Sequence, residues 1–270
     1  MTKRRITSIF KYGFLILVSF ISVFPLLWMF VSATNKSIDV IAGKMVFGSY
    51  LVENFKKLLE VSNLGQALWN SFRNAVALTF FSVLVCSAAG YAFELFHDKW
   101  KDKLMGVLLL SMMVPFAATM IPLFTLFGKM NLLNSTVGFM LPTISTAFLI
   151  FLFRQSTRNF PYDIVEAARL EGMNEFRIFI RVFIPVMKST YAAAITVTFM
   201  NAWNSYMWPL IIMQEKESQT MPLLVSNLIA GYTIDYGVLM LAVSISTLPT
   251  IVIFLLLQKH FANGITGAVK

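Results

Sequence analysis

The chain has 270 residues, of which 57% are hydrophobic and only 13% charged, and its mean hydropathy is +0.72. Soluble domains carry about 25% charged residues. Here the apolar residues stand in long uninterrupted blocks, which argues against a soluble enzyme and against a disordered chain. The net charge of +9 would suggest nucleic acid in a soluble protein. In a membrane protein it asks instead which side the positive residues face, and no nucleic-acid partner is expected.

Rare residues narrow the field further. Cys86 is the only cysteine, so no intrachain disulfide or multi-cysteine zinc site can form. His97 and His260 each sit beside charged residues at the end of an apolar block, where a solvated or headgroup-level side chain is expected, with no metal or catalytic role. No G-x-x-x-x-G-K-[ST] phosphate loop is present, because Gly43-Lys44 and Gly128-Lys129 are each followed by Met. If ATP supplies energy, another chain binds it.

A spanning helix needs about 20 apolar residues. Six segments qualify: 12–33, 75–96, 104–127, 137–153, 190–213 and 237–257. They do not alternate in polarity, so β-barrel strands are disfavoured. The expected fold class is therefore all-α, a polytopic membrane protein with six transmembrane helices in one domain over 1–270. The first segment also has the basic start and the Val31-Ser32-Ala33 ending of a cleavable signal peptide. Its apolar run is about 22 residues, whereas signal peptides use about 7–15, which favours a retained helix.

Six spans put both termini on one side. With that side in the cytoplasm, fifteen of the 22 Lys and Arg residues are inside, among them Lys3, Arg4, Arg5, Arg154, Arg169 and Lys259. The bias places both termini in the cytoplasm. The outer loop 34–74 contains an amphipathic piece at 52–61 that reads as a short surface helix. Pro25, Pro115, Pro122, Pro142, Pro209 and Pro249 fall within or near the spans. Such bends are tolerated where neighbours or a cavity satisfy the backbone, which suggests a bundle with a lumen. Ser87-Ala88-Ala89-Gly90 allows close helix contact.

The inside connection 154–189 is too long for a plain link and too patterned for disorder. Pro161 can start a helix, and Asp163 and Glu166 suit its early turns. Ala167 and Ala168 are strong helix formers. Gly172 can take the left-handed conformation that ends the helix. Asn174 can cap a second helix over 175–183, which Pro185 interrupts. On that helix Phe176, Phe179, Ile180 and Phe183 form a stripe beside Arg177 and Arg181, suited to a membrane interface. One reading is an amphipathic loop lying passively on the lipid; the other is a docking element.

Glu166-Ala167-Ala168, Gly172 and Val182-Phe183-Ile184-Pro185 resemble the EAA loop of importer permeases in the ATP-binding-cassette (ABC) class. That pattern is E-A-A, three residues, G, nine residues, I-x-L-P; Val182 and Ile184 stand for its Ile and Leu. The likeness extends to Gly90-Tyr91-Ala92-Phe93, to Met113-Val114-Pro115 through Ile121-Pro122-Leu123, to Asn201-Ala202-Trp203-Asn204 with Trp208-Pro209-Leu210, and to the tail at 264–270. Glu94 and Phe96 depart from the family's usual Ala and Arg, and Ser189 from a further Pro. Together these segments resemble the second, shorter permease of maltose-type carbohydrate importers.

The resemblance implies a type I importer permease fold. It also implies a second homologous permease, two ATP-binding subunits that hold ATP and magnesium, and an extracytoplasmic solute-binding protein. No cofactor is expected on this chain, and it is not itself an enzyme. Glu166, Ala167, Ala168, Gly172 and Pro185 would form the element that couples it to the ATPase. Asn201, Trp203, Asn204, Tyr206 and Trp208 are the candidate carbohydrate path, since amides and aromatic faces suit sugars; Trp and Tyr also gather at bilayer interfaces. Two other classes stay open. A secondary transporter would need ion ligands near the midplane, where these spans carry almost no charge. A membrane scaffold would explain the helices but not the patterned loop.

Overall fold

The computed structural model describes the backbone of residues 2–231 and 233–267, and the side chains of 8, 10–231 and 233–258. Expectations resting on Lys3, Arg4, Arg5, Lys259 and His260 side chains, and on the end of the 264–270 tail, lie outside the described residues. Among the described residues there is no strand. That is the outcome hydrocarbon demands of a chain this apolar, because a helix satisfies its own backbone.

Three helices are long and apolar enough to cross a membrane alone. They lie in α1 (Thr2–Ser32), α4 (Leu64–Leu95) and α15 (Tyr236–Gly267), with α2 (Ser37–Ile41) and α3 (Leu51–Val61) between the first two. The expected surface helix at 52–61 is α3. The remaining three candidate spans are helix pairs bent by more than 40°. α5 (Lys99–Ser111) and α6 (Phe116–Lys129) meet at 94°. Pro115 caps α6 with ψ 131°, and a proline drives the residue before it out of helical geometry. α7 (Thr136–Met140) and the 3-10 turn Leu141–Thr143 meet α8 (Ala147–Thr157) at 56°, where Thr146 caps α8 by accepting from Leu149 N–H. The fifth span, expected over 190–213, ends earlier. α12 (Lys188–Trp203) stops at Trp203, and a separate α13 (Met207–Ile212) follows with Pro209 inside it. Pro25, Pro122 and Pro249 are carried within continuous helices.

The backbone gathers into two compact units, 1–64 with 224–248, and 65–223 with 249–270. In the first, Asn54 is buried and its amide donates to the carbonyls of Ala33 (2.9 Å) and Asn35 (3.0 Å), pinning α3 to the end of α1. A Cβ on Gly237 would stand 2.5 Å from the Asn35 carbonyl, so only glycine lets α15 start there.

The second unit has two apolar cores. One joins α4, α5, α8 and α12 through Val83, Cys86, Met105, Ile150, Phe153 and Ala194. Gly90 sits beside it, where a Cβ would approach Phe153 Cβ to 2.5 Å. The small-residue run 87–90 thus brings α4 against α8, as its composition predicts. The other core lies under the 154–189 connection.

Candidate coupling hairpin and solute cavity

α9 (Tyr162–Leu170) begins after Pro161, with Asp163 in its first turn and Arg169 in its last, which suits the helix dipole. Gly172 ends it at φ +81°. Met173 N–H donates to the Ala168 carbonyl and Gly172 N–H to the Arg169 carbonyl, both at 3.0 Å. This double closure needs a left-handed residue. A Cβ on Gly172 would meet nothing within 4 Å, so the position requires backbone freedom and not space.

Asn174 Oδ1 accepts from Arg177 N–H at 2.9 Å and starts α10 (Glu175–Ile178). Next comes a wide π turn, Phe179–Phe183, and then α11 (Ile184–Val186). Pro185 lacks an N–H and its ring crowds the carbonyl one turn back, which a widened turn accommodates. The helix therefore runs past 183, turns a corner at Met187 and enters α12 at 83°.

The hairpin is rooted in its own chain. Tyr91, Phe160, Val165, Ala168, Ile178, Phe179, Phe183 and Met187 form one buried core. Tyr91's ring lies edge-on to Phe179 (5.3 Å) and Phe183 (4.8 Å). The stripe expected to face lipid is thus split. Phe179 and Phe183 turn inward onto α4, and Phe176 and Ile180 stay exposed with Arg177 and Arg181. The EAA run divides the same way. Ala168 is buried under α9, while Glu166, Ala167 and Gly172 are exposed. Leu170 is 91% exposed and Phe176 71%, and both are large apolar side chains. Helical spacing explains the division, since Val165 and Ala168 are three apart and share a face.

Polar contacts fasten the same root. Glu175 Oε1 accepts from Arg169 Nε at 2.7 Å and Oε2 from the Tyr91 hydroxyl at 3.0 Å. The Arg169 guanidinium holds the Glu175 carboxyl below the usual carboxylate range. Tyr162 donates to the Glu94 carbonyl at 3.0 Å. Glu94, which stands where the resembling family usually has Ala, accepts from Arg154 Nε at 3.2 Å and lies 3.5 Å from Arg158 Nε. Arg154 also pairs with Asp102, whose other oxygen is 3.0 Å from His97 Nε2. The Arg154 side chain is only 6% exposed. A charge so far inside must be paired, so Arg154 beside the apolar run 147–153 was the available signal for an acidic partner.

The solute-path residues divide differently. A cavity of about 370 Å³ opens in the second unit. Ser82 of α4, Thr143, Thr146, Thr198 and Asn201 of α12, and Ser205 just beyond it supply its polar groups. Phe116, Phe139, Phe148 and Trp208 supply aromatic walls. None of its lining side chains among the described residues is ionisable. Thr198 is 7% exposed and its hydroxyl has no hydrogen-bond partner. Of the five expected residues, Asn201 and Trp208 line this space. Trp208 donates its indole N–H to the Gly138 carbonyl at 3.1 Å and packs edge-on to Phe127, so its ring is held in place. Trp203 is buried and stacked on Phe199. Asn204 donates to the Met200 carbonyl at the end of α12, and Tyr206 is exposed; neither lines the cavity. The break after Trp203 takes them away.

Residues 82–267 match the family described as the binding-protein-dependent transport system inner membrane component. The chain is 42% identical over 268 residues to the lactose transport system permease protein LacG of Rhizobium radiobacter, covering 99% of this chain and 98% of that one. It is 32% identical over 263 residues to the arabinooligosaccharides transport system permease protein AraQ of Bacillus subtilis (strain 168), covering 95% and 94%. It is 29% identical to the sn-glycerol-3-phosphate transport system permease protein UgpE of Escherichia coli (strain K12), covering 97% of each. Its fold matches a chain in the crystal structure of a bacterial ABC transporter involved in the import of the acidic polysaccharide alginate. The TM-score is 0.80 at 20% identity, with 97% of this chain and 98% of that one covered.

Proposed function

This chain belongs to the binding-protein-dependent transport system inner membrane component family, and we propose that it forms one half of a carbohydrate pore driven through the 161–185 hairpin. It is a membrane permease subunit of an ABC importer, and in such systems ATP hydrolysis resides on partner subunits. A partner permease, ATP-binding subunits and a binding protein complete such an importer. Our reading adds two permeases over two ATP-binding subunits, which hold ATP and magnesium. Both termini and the hairpin lie on the cytoplasmic side, in keeping with the excess of positive residues there.

The observation that carries the hairpin's role is the exposure of Leu170 and Phe176 on a rigidly rooted turn. Large apolar side chains held out by a capped helix suit a groove on a protein partner. Glu166 and Ala167 flank them on the outer face, Ala168 packs beneath, and Gly172 and Pro185 shape the turns. ATP moves the bundle only through unequal affinity for its two states. A rigid hairpin lets that difference reach the helices. The test is Leu170→Asp, followed by co-purification of the ATP-binding subunits in mild detergent and by uptake. Loss of both is expected; full assembly with normal uptake would reject docking at this surface.

A carbohydrate cargo is favoured over a charged one by the cavity. Hydroxyl and amide groups beside aromatic walls suit a molecule with hydroxyls and an apolar face. A phosphate ester would bring negative charge to a site without a basic side chain, which is costly in apolar surroundings. The names of the lactose and arabinooligosaccharide relatives point the same way. Competition of uptake by lactose and by sn-glycerol-3-phosphate separates the cases. Stronger inhibition by the phosphate ester would overturn the neutral cargo.

A further inference from the structure

We infer that the hairpin moves as one body with α4, through a tether in which Glu175 joins Tyr91 to Arg169, and that α4 carries the stroke to the cavity wall. The inference rests on the docking reading above and adds the route beyond it.

Besides the non-helical link 158–161 back to α8, the hairpin has two ways into the bundle. One is along the chain, through the π turn Phe179–Phe183 and the 83° corner at Met187 into α12. That route contains a widened turn and a break in the helical ladder, and such points bend. The other is across space, into α4. There Tyr91 sits among Phe179 and Phe183, and its hydroxyl reaches Glu175 Oε2 at 3.0 Å. The other Glu175 oxygen accepts from Arg169 Nε at 2.7 Å, at the end of α9. Tyr162, at the start of α9, donates to the Glu94 carbonyl at 3.0 Å, one turn beyond Tyr91 on α4. Both ends of α9 are therefore fastened to the same few residues of α4.

α4 is an unbroken 32-residue helix without proline. Leu78 and Ser82 on it line the cavity. Ser82 precedes Tyr91 by nine positions, about 13 Å along the axis. A push on the hairpin then displaces one wall of the solute space without passing through the corner. In this scheme Tyr91 and Glu175 are positioning residues: they touch neither ATP nor cargo.

The test uses the assembled importer, with this chain carrying Cys86→Ala and spin labels at Phe81→Cys on the exposed side of α4 and Arg177→Cys on the exposed side of the hairpin. The distance between the labels is measured by pulsed electron resonance without nucleotide and with vanadate-trapped ATP. In the parent it should stay constant to within about 2 Å, the size of ordinary helix shifts. With Tyr91→Phe and Glu175→Gln together it should change by more than that between the two states. Tyr91→Phe alone removes one hydroxyl and keeps the ring, and it serves if the pair fails to assemble. A parent distance that shifts with nucleotide overturns the inference, as does a tetherless variant as constant as the parent. Failure of the docking reading shows separately, as ATP-binding subunits that remain attached in Leu170→Asp.

Discussion

The hairpin and the cavity treat their polar groups in opposite ways. Under the hairpin, Glu175, Glu94 and Arg154 are each shared between two or more partners, and every bond joins one helix to another. In the cavity the buried Thr198 hydroxyl has no partner. An unmet buried hydroxyl costs stability, and a met one fixes geometry. The first region is built to hold a shape under load. The second holds an unmet hydroxyl beside an open space.

The largest test of that contrast is Arg154→Met. It leaves Glu94 with only Arg158, 3.5 Å away, and Asp102 with only His97, and removing one member of a mostly buried pair is destabilising. We expect a marked fall in thermal unfolding temperature and in the yield of assembled complex. Glu94→Leu added to Arg154→Met should recover part of the loss, because the stranded charge is removed. An unchanged melting curve for Arg154→Met would show that the network is ornamental.

Gly172→Val ranks next. The position needs φ +81°, and holding a β-branched residue there costs about 1–3 kcal/mol. Because the site is open, Gly172→Asn, which tolerates the left-handed region, should behave nearly as glycine. Fluorescence of an ATP-binding subunit eluting with the complex would rank the three as Gly, Asn, Val. A ranking by side-chain size, with Asn as harmful as Val, would show that a partner presses on this residue.

Thr198→Val sharpens the other side. It removes an unpaired hydroxyl and keeps the shape, so stability should hold or rise. Uptake of a carbohydrate such as lactose should fall about two- to tenfold, the value of one neutral hydrogen bond. The signs of the two effects should be opposite. A drop in stability would mean that the hydroxyl serves the fold.

Much of this was legible in the chain. The apolar blocks gave the spans, and Gly172, Asn174 and the EAA run gave the hairpin and its turn, because capping chemistry is local. The bends at 112–115 and 144–146 were signalled by Pro115 and Pro142 but not their size, which depends on packing. The cavity stayed hidden since Ser82, Thr143 and Thr198 come from three separate segments. Sequence singled out Asn204 and Tyr206 because amides and aromatic rings suit sugars; the end of α12 at Trp203 directs Asn204 to its own backbone. Glu94 was passed over as a departure from a pattern, although Arg154 within an apolar stretch required such a partner.

The smallest effect expected concerns acidity. Arg169 lowers the Glu175 carboxyl below its ordinary range, so the charged form is favoured in the folded hairpin. A depressed carboxylate contributes stability that is fully present above its unfolded value and is lost as pH falls through the folded one. The tether should therefore be indifferent to pH from neutrality down through the range in which an ordinary glutamate titrates, about 4.3. Below that, the spacing between the α4 and hairpin labels should begin to vary with nucleotide. In Glu175→Gln the acid dependence should vanish, with the spacing variable at every pH. Both side chains are partly open to solvent, at 41% for Arg169 and 43% for Glu175, so the effect stays small and is screened by salt. A transition near neutral pH would show that the Glu175 carboxyl does not govern the spacing.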